Sequence, residues 1–192
     1  MVGKTIKEVT TGGFHTCALD TSSKMYCWGL NSSGRLGGGL TSTLSNVPVA
    51  INMSGALAGK TIKQMSVEFS TSCVVASDNK VYCWGNNSKG QLGNGSTANS
   101  NVPVAVNMSG VLVGKTIKEV TTGGFHTCAL DTSNKMYCWG LNSSGRLGGG
   151  LISTLSNVPV AVNMSGVLAG KTIKQMSTGY SSTCVIASDN RA

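Results

Sequence analysis

Charged residues are scarce in this sequence: they make up 11% of its 192 residues, against roughly 25% in an ordinary soluble domain. No apolar run approaches the ~20 residues of a membrane-spanning helix, and no window of about 11 residues repeats its apolar positions at helical spacing. No leader peptide is recognisable before the first repeated motif. These absences argue against a transmembrane helix and a helical fold. They predict either a chain that has lost a leader or a piece of a longer protein.

The few charges are mostly positive, with a formal net charge of +8. The Lys and Arg residues are scattered, and none forms a basic run with interleaved aromatic residues. In a repeated fold, equivalent basic positions would form a stripe that could meet nucleic acid, a polyanionic glycan or an acidic protein. We favour the simpler interpretation that these charges keep a charge-poor surface soluble, and we do not expect nucleic acid as a partner.

What the sequence has in abundance is repetition. The pentapeptide Gly-Lys-Thr-Ile-Lys begins at Gly3, Gly59, Gly114 and Gly170, so the period is 56, 55 and 56 residues. The predicted repeats are 3–58, 59–113, 114–169 and a partial 170–192, which form one continuous repeat domain. The first and third repeats differ at only four positions, so the copying unit is a block of two repeats, 111 residues long. Such an array is typical of a binding or building surface rather than of an enzyme.

Each complete repeat contains four strand-like runs rich in β-branched and aromatic residues and bounded by Gly, Asn, Ser or Asp. In the first repeat these runs are residues 5–10, 14–19, 24–28 and 47–51. Residues 20–23 predict a hairpin turn between the second and third runs. Pro48 lacks a main-chain donor, so we expect the fourth run at an outer edge. Four antiparallel strands in about 55 residues match one blade of a β-propeller.

Two sequence segments carry a family resemblance. Residues 12–19 read Gly-Gly-Phe-His-Thr-Cys-Ala-Leu, and residues 25–37 read Met-Tyr-Cys-Trp-Gly-Leu-Asn-Ser-Ser-Gly-Arg-Leu-Gly. Residues 123–148 and 81–93 repeat the pattern. It resembles the repeat of the regulator of chromosome condensation family, in a cysteine-containing form of the bacterial or extracellular type. The resemblance implies an all-β fold of propeller blades, about three and a half here against the usual seven. We therefore expect either an excerpt of a longer array or an open assembly of several chains.

Six of the seven cysteines form pairs ten residues apart, one pair in each complete repeat. With the turn centred near Ser22, Cys17 lies opposite Cys27 on the neighbouring strand, at a distance a disulfide can bridge. The predicted bonds are Cys17–Cys27, Cys73–Cys83 and Cys128–Cys138. Disulfides imply an oxidising compartment, and we expect an extracellular or cell-surface location. The alternative is that these cysteines are small buried thiols.

The seventh cysteine, Cys184, has no partner at the same spacing, which predicts either an excerpt of a longer array or an unpaired thiol available to another chain. A metal site built from His15, Cys17 and Cys27 is disfavoured, because Thr71 and Ser182 occupy the His position in the second and fourth repeats. We expect no metal and no cofactor.

No residue pattern predicts a catalytic site. His15 and His126 occupy the same place in two repeats, without an adjacent nucleophile and orienting acid. Gly34–Gly39 resembles a phosphate loop only superficially, since the following Lys-Ser/Thr is absent. The tryptophans, one per complete repeat, favour packing between blades over a sugar-binding platform: Trp28, Trp84 and Trp139.

Asn-x-Ser/Thr sequons occur at seven places: Asn31, Asn52, Asn86, Asn94, Asn107, Asn142 and Asn163. In a secreted eukaryotic protein these would be surface glycan acceptors. The alternative is that the repeats have copied chance occurrences.

Two functions remain. The first is a non-enzymatic, extracellular interaction or structural protein whose partner is a protein, including other copies of itself that join through the incomplete fourth repeat into a fibre. The second is an intracellular regulator resembling the namesake of the family, which promotes nucleotide exchange on a small GTPase and binds chromatin. Paired cysteines favour the first, and the basic net charge is compatible with the second.

Overall fold

A computed structural model describes residues 3–192. Three four-stranded antiparallel sheets and one two-stranded sheet follow one another along the chain, which confirms the predicted propeller-type blades. The first blade contains β1 Ile6–Thr11, β2 His15–Asp20, β3 Met25–Leu30 and β4 Leu44–Ala50. The second contains β5 Ile62–Glu68, β6 Thr71–Ala76, β7 Val81–Gly85 and β8 Ser100–Ala105. The third contains β9 Ile117–Thr122, β10 His126–Asp131, β11 Met136–Leu141 and β12 Leu155–Ala161, and the half-blade contains β13 Ile173–Thr178 and β14 Thr183–Ala187.

Strand order within each blade follows chain order, so the first strand lies at one edge and the fourth at the other. The first strands of neighbouring blades contact one another, which makes the fourth strand the outer edge, as Pro48 predicted. Pro48 lies in a bulge, because Cys27 pairs with Val49 whereas Gly29 pairs with Ser45. The bulge also lets β4 begin at Leu44, three residues before the predicted start.

The hydrophobic core consists of layers between blades. The layer between the first two blades joins Leu19 and Leu36 of one blade to Met65 and Trp84 of the next. A second layer lies between the second and third blades, and a third layer lies between the third blade and the half-blade. Each blade therefore depends on its neighbours for burial, as expected for an array of repeats.

Helical structure is limited, within residues 3–192, to two three-residue 3₁₀ turns after β8 and β12. Across this part of the chain the structure has no helix that could span a membrane.

Candidate interaction surface

Each Trp in the interior of the array is hydrogen-bonded to the preceding blade. Trp84 is fully buried, and its Nε1 donates to the main-chain oxygen of Arg35 at 2.9 Å. Trp139 donates in the same way to the main-chain oxygen of Gln91, also at 2.9 Å. Trp28 belongs to the first blade and is only partly buried. These contacts agree with a packing role for the interior tryptophans.

The last glycine of the Gly-x-Leu-Gly motif makes room for this indole. Gly37 has φ +71°, and a Cβ built on it would lie 2.5 Å from Nε1 of Trp84. Gly93 has φ +66°, and its Cβ would lie 2.6 Å from Nε1 of Trp139. A side chain at either position would be strained by the backbone conformation and would collide with the indole. The last glycine of the motif therefore allows the indole of the next blade to pack closely against the preceding blade.

The two histidines also bridge blades. His15 Nε2 lies 2.8 Å from Ser72 Oγ, and Ser72 Oγ donates to the main-chain oxygen of Arg35 at 3.1 Å. His126 makes the equivalent contact with Thr183 Oγ1 at 2.8 Å. Because the single hydroxyl proton of Ser72 goes to a carbonyl oxygen, His15 must donate its Nε2 proton to Ser72. The histidine is then unable to accept that proton, so the pair does not activate Ser72 as a nucleophile.

The burial of these histidines has a consequence for acid stability. Burial, assisted by the positive charge of Arg35, lowers the pKa of His15 from 6.5 to about 3. Burial together with Arg146 lowers the pKa of His126 from 6.5 to about 4. Between these values and 6.5 the unfolded chain binds protons that the folded chain does not. The free energy of unfolding should therefore fall as the pH decreases through this window, by about 1.4 kcal/mol per histidine for each pH unit.

A double variant, His15→Thr with His126→Thr, tests this expectation, because Thr71 already occupies the position in the second repeat. Urea unfolding measured from pH 7.5 to pH 4.5 should give a clearly flatter profile for the variant than for the wild type. Equal slopes would show that the histidines do not cause the acid sensitivity.

Four aromatic residues meet where the first and second strands of each blade are joined. We call Phe14, Phe69, Phe125 and Tyr180 the aromatic cluster. The ring of Phe69 lies at its centre, with centroid distances of 5.1 Å to Phe14, 5.4 Å to Phe125 and 5.2 Å to Tyr180. Phe14 remains 49% exposed and Tyr180 53% exposed. The cluster is thus a solvent-accessible aromatic surface at one end of the blades.

Glycines and an arginine fix the rings of the aromatic cluster. A Cβ on Gly13 would lie 3.3 Å from Cδ2 of Phe69, so the glycine gives that ring room to pack. The guanidinium carbon of Arg35 lies 5.5 Å from the centroid of the Phe14 ring. Nη1 of Arg35 also donates to the main-chain oxygen of Phe69 at 3.2 Å. The aromatic surface is therefore held in place before any partner arrives.

The spacing of the aromatic residues was a weak indication of the aromatic cluster, but the predicted strand pattern assigned Phe14 to a strand. Phe14 and Phe125 are 111 residues apart, as are Phe69 and Tyr180, but the second pair lies one position earlier in its repeat. Phe14 was expected to open the second strand, whereas the structure begins that strand at His15. The aromatic residue therefore lies in the turn, where it reaches the neighbouring blade.

The cysteines lie as their spacing indicated. Three pairs are at disulfide distance, with Sγ–Sγ separations of 2.13 Å for Cys17–Cys27 and 2.15 Å for both Cys73–Cys83 and Cys128–Cys138. The two members of each pair face each other across adjacent strands. Cys184 is exposed and has no cysteine partner within residues 3–192.

The sequons divide into two groups. The amides of Asn31 and Asn142 are buried and donate from Nδ2 to the main-chain oxygens of Ser42 and Ser153 at 2.8 Å. A glycan on either Nδ2 would be incompatible with that packing, so we narrow the glycosylation proposal to the other five. Asn163 is exposed, and Asn52, Asn86, Asn94 and Asn107 are each partly exposed.

The repeated blades and their indole-to-carbonyl bonds define a β-propeller repeat protein. The family model described as regulator of chromosome condensation (RCC1) repeat matches residues 78–130 and 133–186, and a second model of that description matches 6–35, 62–91 and 117–146. The chain belongs to the RCC1 repeat family.

Similar proteins are much longer than this chain. The ultraviolet-B receptor UVR8 of Arabidopsis thaliana is 35% identical over 186 residues, which cover 96% of this chain and 40% of the receptor. The structure of human WBSCR16 has a TM-score of 0.82 at 23% identity, covering 97% of this chain and 46% of that one. Prp20p of Saccharomyces cerevisiae, whose structure was described with its binding to Gsp1p and histones, has a TM-score of 0.80 at 19% identity, covering 94% and 43%. At these identities the two structures show a shared fold.

Proposed function

We propose that this chain is a non-enzymatic protein-interaction domain that binds a partner protein through the aromatic cluster. The exposure of Phe14 and Tyr180 carries the proposal, because aromatic residues and Arg contribute most of the binding energy at protein interfaces. Arg35 is buried and packs against the ring of Phe14, which holds that ring in place. Rings already held in place lose little conformational entropy on binding, which favours affinity.

A non-enzymatic role agrees with the chemistry of the polar residues. The histidines donate to hydroxyl groups instead of accepting from them, and Ser72 has no activating base.

The proposed setting is outside the cell or at its surface. Three cysteine pairs already lie at disulfide distance in the folded blades, and such bonds persist in oxidising compartments. Glycans on the exposed Asn163, or on the partly exposed Asn52, Asn86, Asn94 and Asn107, would lie on the surface of a secreted eukaryotic protein.

We further propose that copies of this chain associate end to end into a fibre. Val9 is 58% exposed on the first blade, whereas the equivalent Val120 is 1% exposed because the second blade covers it. At the other end Cys184 is exposed on the half-blade, whereas the equivalent Cys17 is fully buried. Each end therefore presents surface that other strands of the array cover at the equivalent positions.

The second candidate is an intracellular regulator that binds proteins as the namesake of the family does. Membership of the RCC1 repeat family favours it, and Prp20p binds Gsp1p and histones. The oxidation state of the paired cysteines in native material separates the two settings.

The aromatic cluster can be tested by panning a displayed random-peptide library on the immobilised chain. We expect selected peptides to bind the wild type and to lose at least roughly tenfold in affinity for Tyr180→Ser, which corresponds to about 1.4 kcal/mol or more of binding free energy. Val167→Ser provides a control, because Val167 is 84% exposed and lies outside the cluster. Peptides that bind wild type and Tyr180→Ser equally would contradict the proposed binding surface.

A further inference from the structure

The basic residues are scattered along the sequence, but the fold brings most of them to one end of the blades. A lysine precedes the first strand of each blade, another is the second residue of that strand, and a third basic residue follows the turn between the second and third strands. These residues are Lys4, Lys7, Lys24, Lys60, Lys63, Lys80, Lys115, Lys118, Lys135, Lys171, Lys174 and Arg191. Because the first two strands are antiparallel, this end lies opposite the aromatic cluster.

The acidic residues at this end compensate only part of the positive charge. Four of the seven acidic residues share the end with twelve of the fifteen basic ones, which leaves it a net charge of +8. Asp20, Asp78 and Asp131 each accept a hydrogen bond from a tyrosine hydroxyl of their own blade. The ion pairs within residues 3–192 are Lys4–Asp20 and Lys171–Asp189. The end is therefore a strongly basic surface.

Three exposed lysines of this surface are held by hydrogen bonds from their ammonium groups. The bonds join Lys63 to Asn79, Lys118 to Asn134 and Lys174 to Asn190, with Nζ–Oδ1 distances of 2.6, 2.5 and 2.8 Å. Each asparagine lies in the turn between the second and third strands at a φ near +60°, a conformation that Asn adopts more readily than most residues. We call these three pairs the lysine–asparagine row.

The row is continuous from blade to blade. The main-chain oxygen of Asn79 accepts from the main-chain nitrogen of Ile117 at 3.0 Å, and Ile117 immediately precedes Lys118. The same bond joins Asn134 to Ile173 at 3.2 Å. Each pair is thus tied to the first strand of the next blade. Since neighbouring blades pack face to face, successive pairs repeat at about 10 Å, the spacing of stacked sheets.

The chemistry of the row suits carboxylates. Each ammonium gives one of its three N–H groups to the asparagine oxygen and keeps two for a ligand, and the asparagine Nδ2 can only donate. Such a group of donors around a positive charge favours an anionic oxygen. The strongly exposed aromatic side chains of residues 3–192, Phe14 and Tyr180, lie at the other end of the blades. The row therefore lacks the stacking platform on which single-stranded nucleic acids depend.

We propose that the lysine–asparagine row binds an extended acidic polypeptide segment that has Asp or Glu at every third residue. A segment in the polyproline II conformation has three residues per turn and rises about 3.1 Å per residue. Every third side chain then points the same way, at a spacing of roughly 9 Å, which matches the blade spacing of about 10 Å. This surface is separate from the aromatic cluster, so the chain has two faces for partners.

Two synthetic peptides of identical composition test the predicted spacing. One consists of four Glu-Pro-Ala triplets, and the other has its four glutamates contiguous. Fluorescence anisotropy at low ionic strength should show the triplet peptide binding the whole chain roughly threefold or more tightly, because three of its carboxylates meet three fixed ammonium groups. Attraction by net charge alone would favour the denser contiguous charge. Equal binding, or tighter binding of the contiguous peptide, would overturn the proposal.

Two triple variants locate the peptide on the basic surface. The row variant combines Lys63→Gln, Lys118→Gln and Lys174→Gln, and the control combines Lys24→Gln, Lys80→Gln and Lys135→Gln. Both remove three positive charges from the same end of the blades. The row variant should lose roughly tenfold in affinity for the triplet peptide, and the control clearly less. Equal losses would show that binding depends on total charge and not on the row.

A third variant changes the row without changing any charge. It combines Asn79→Ser, Asn134→Ser and Asn190→Ser, and Ser23 already occupies the equivalent turn position of the first blade at φ +61°. Weaker binding of the triplet peptide with an unchanged melting temperature would support the row. Wild-type affinity would contradict the part assigned to the asparagines.

Competition separates an acidic polypeptide from other polyanions. Duplex DNA or heparin that binds more tightly than the triplet peptide, and loses more with the row variant than with the control, would overturn the acidic polypeptide as the partner. Tyr180→Ser should bind the triplet peptide as the wild type does, because Tyr180 belongs to the aromatic cluster. Failure of the aromatic cluster as a binding surface would therefore leave this result unchanged.

Discussion

Gly37→Ala and Gly93→Ala are each expected to lower the free energy of unfolding by about 3–5 kcal/mol. Alanine at a positive φ costs on the order of 1 kcal/mol or more, and forcing the indole out of a packed layer adds about 1–3 kcal/mol. The hydrogen bond from Trp84 to the main-chain oxygen of Arg35 would also be stretched or lost. Urea denaturation followed by tryptophan fluorescence measures the effect.

Gly148→Ala separates the cost of backbone strain from the cost of displacing the indole. Gly148 has φ +63° and the same motif around it, but no indole lies against it within residues 3–192. This variant should lose only the backbone contribution, about 1–2 kcal/mol. If all three variants are equally destabilised, backbone strain explains the whole effect and the contact between motif glycine and Trp is not important for stability.

Local spacing predicted much of this fold because strand pairing within a hairpin is a local property. Once residues 20–23 form a turn, the positions of Cys17 and Cys27 follow from counting outward along two strands. Pro48 indicated an outer edge for a similar reason, since a missing main-chain donor is tolerated only there or at a bulge. The sequence did not locate the bulge. There, three residues of β4 lie opposite one residue of β3, and this arrangement leaves no distinctive pattern of side chains.

Contacts between blades could not be predicted in this way, because they depend on how separate sheets pack. The acceptor for the Trp84 indole is a main-chain oxygen, which every residue has, so no sequence pattern singles out Arg35. The aromatic cluster could not be predicted from the repeat, because its members alternate between two positions of the repeat. The glycines beside them were visible in the sequence, but the reason for their small size lies in the next blade.

The two-repeat block has a structural explanation, because two kinds of blade contact alternate. From the first blade to the second, His15 bonds to Ser72. From the second blade to the third, the Gln64 side chain donates to and accepts from the main chain of Val120, with both distances 3.0 Å. From the third blade to the half-blade the histidine contact returns, between His126 and Thr183. A change within one repeat alters contacts with both neighbours, so the pair of repeats is the smallest unit that can be copied with matching interfaces.

Reduction of the three cysteine pairs is expected to remove most of the stability of the chain. Each bond would close a loop of about 11 residues, for which loop entropy gives on the order of 2.8 kcal/mol. Three such contributions total roughly 8 kcal/mol, comparable with the roughly 5–15 kcal/mol that stabilises a whole domain. We expect dithiothreitol to unfold the chain or to lower its melting temperature sharply, as followed by circular dichroism. Cys184→Ser should respond to reductant as the wild type does, because Cys184 belongs to none of the three pairs.

The oxidation state of the six paired cysteines also decides between the extracellular and the intracellular setting. Native material can be treated with an alkylating reagent while folded, again after unfolding without reductant, and a third time after reduction, and each step is followed by mass spectrometry. An extracellular protein should label at Cys184 alone in the first step and at the other six cysteines only in the third. A chain from a reducing compartment would leave those six as thiols, so all seven cysteines would label without reductant once the chain is unfolded. A fold that loses about 8 kcal/mol on reduction would scarcely persist there. Retained stability after full reduction, together with thiols in native material, would therefore remove the extracellular proposal and favour the intracellular regulator.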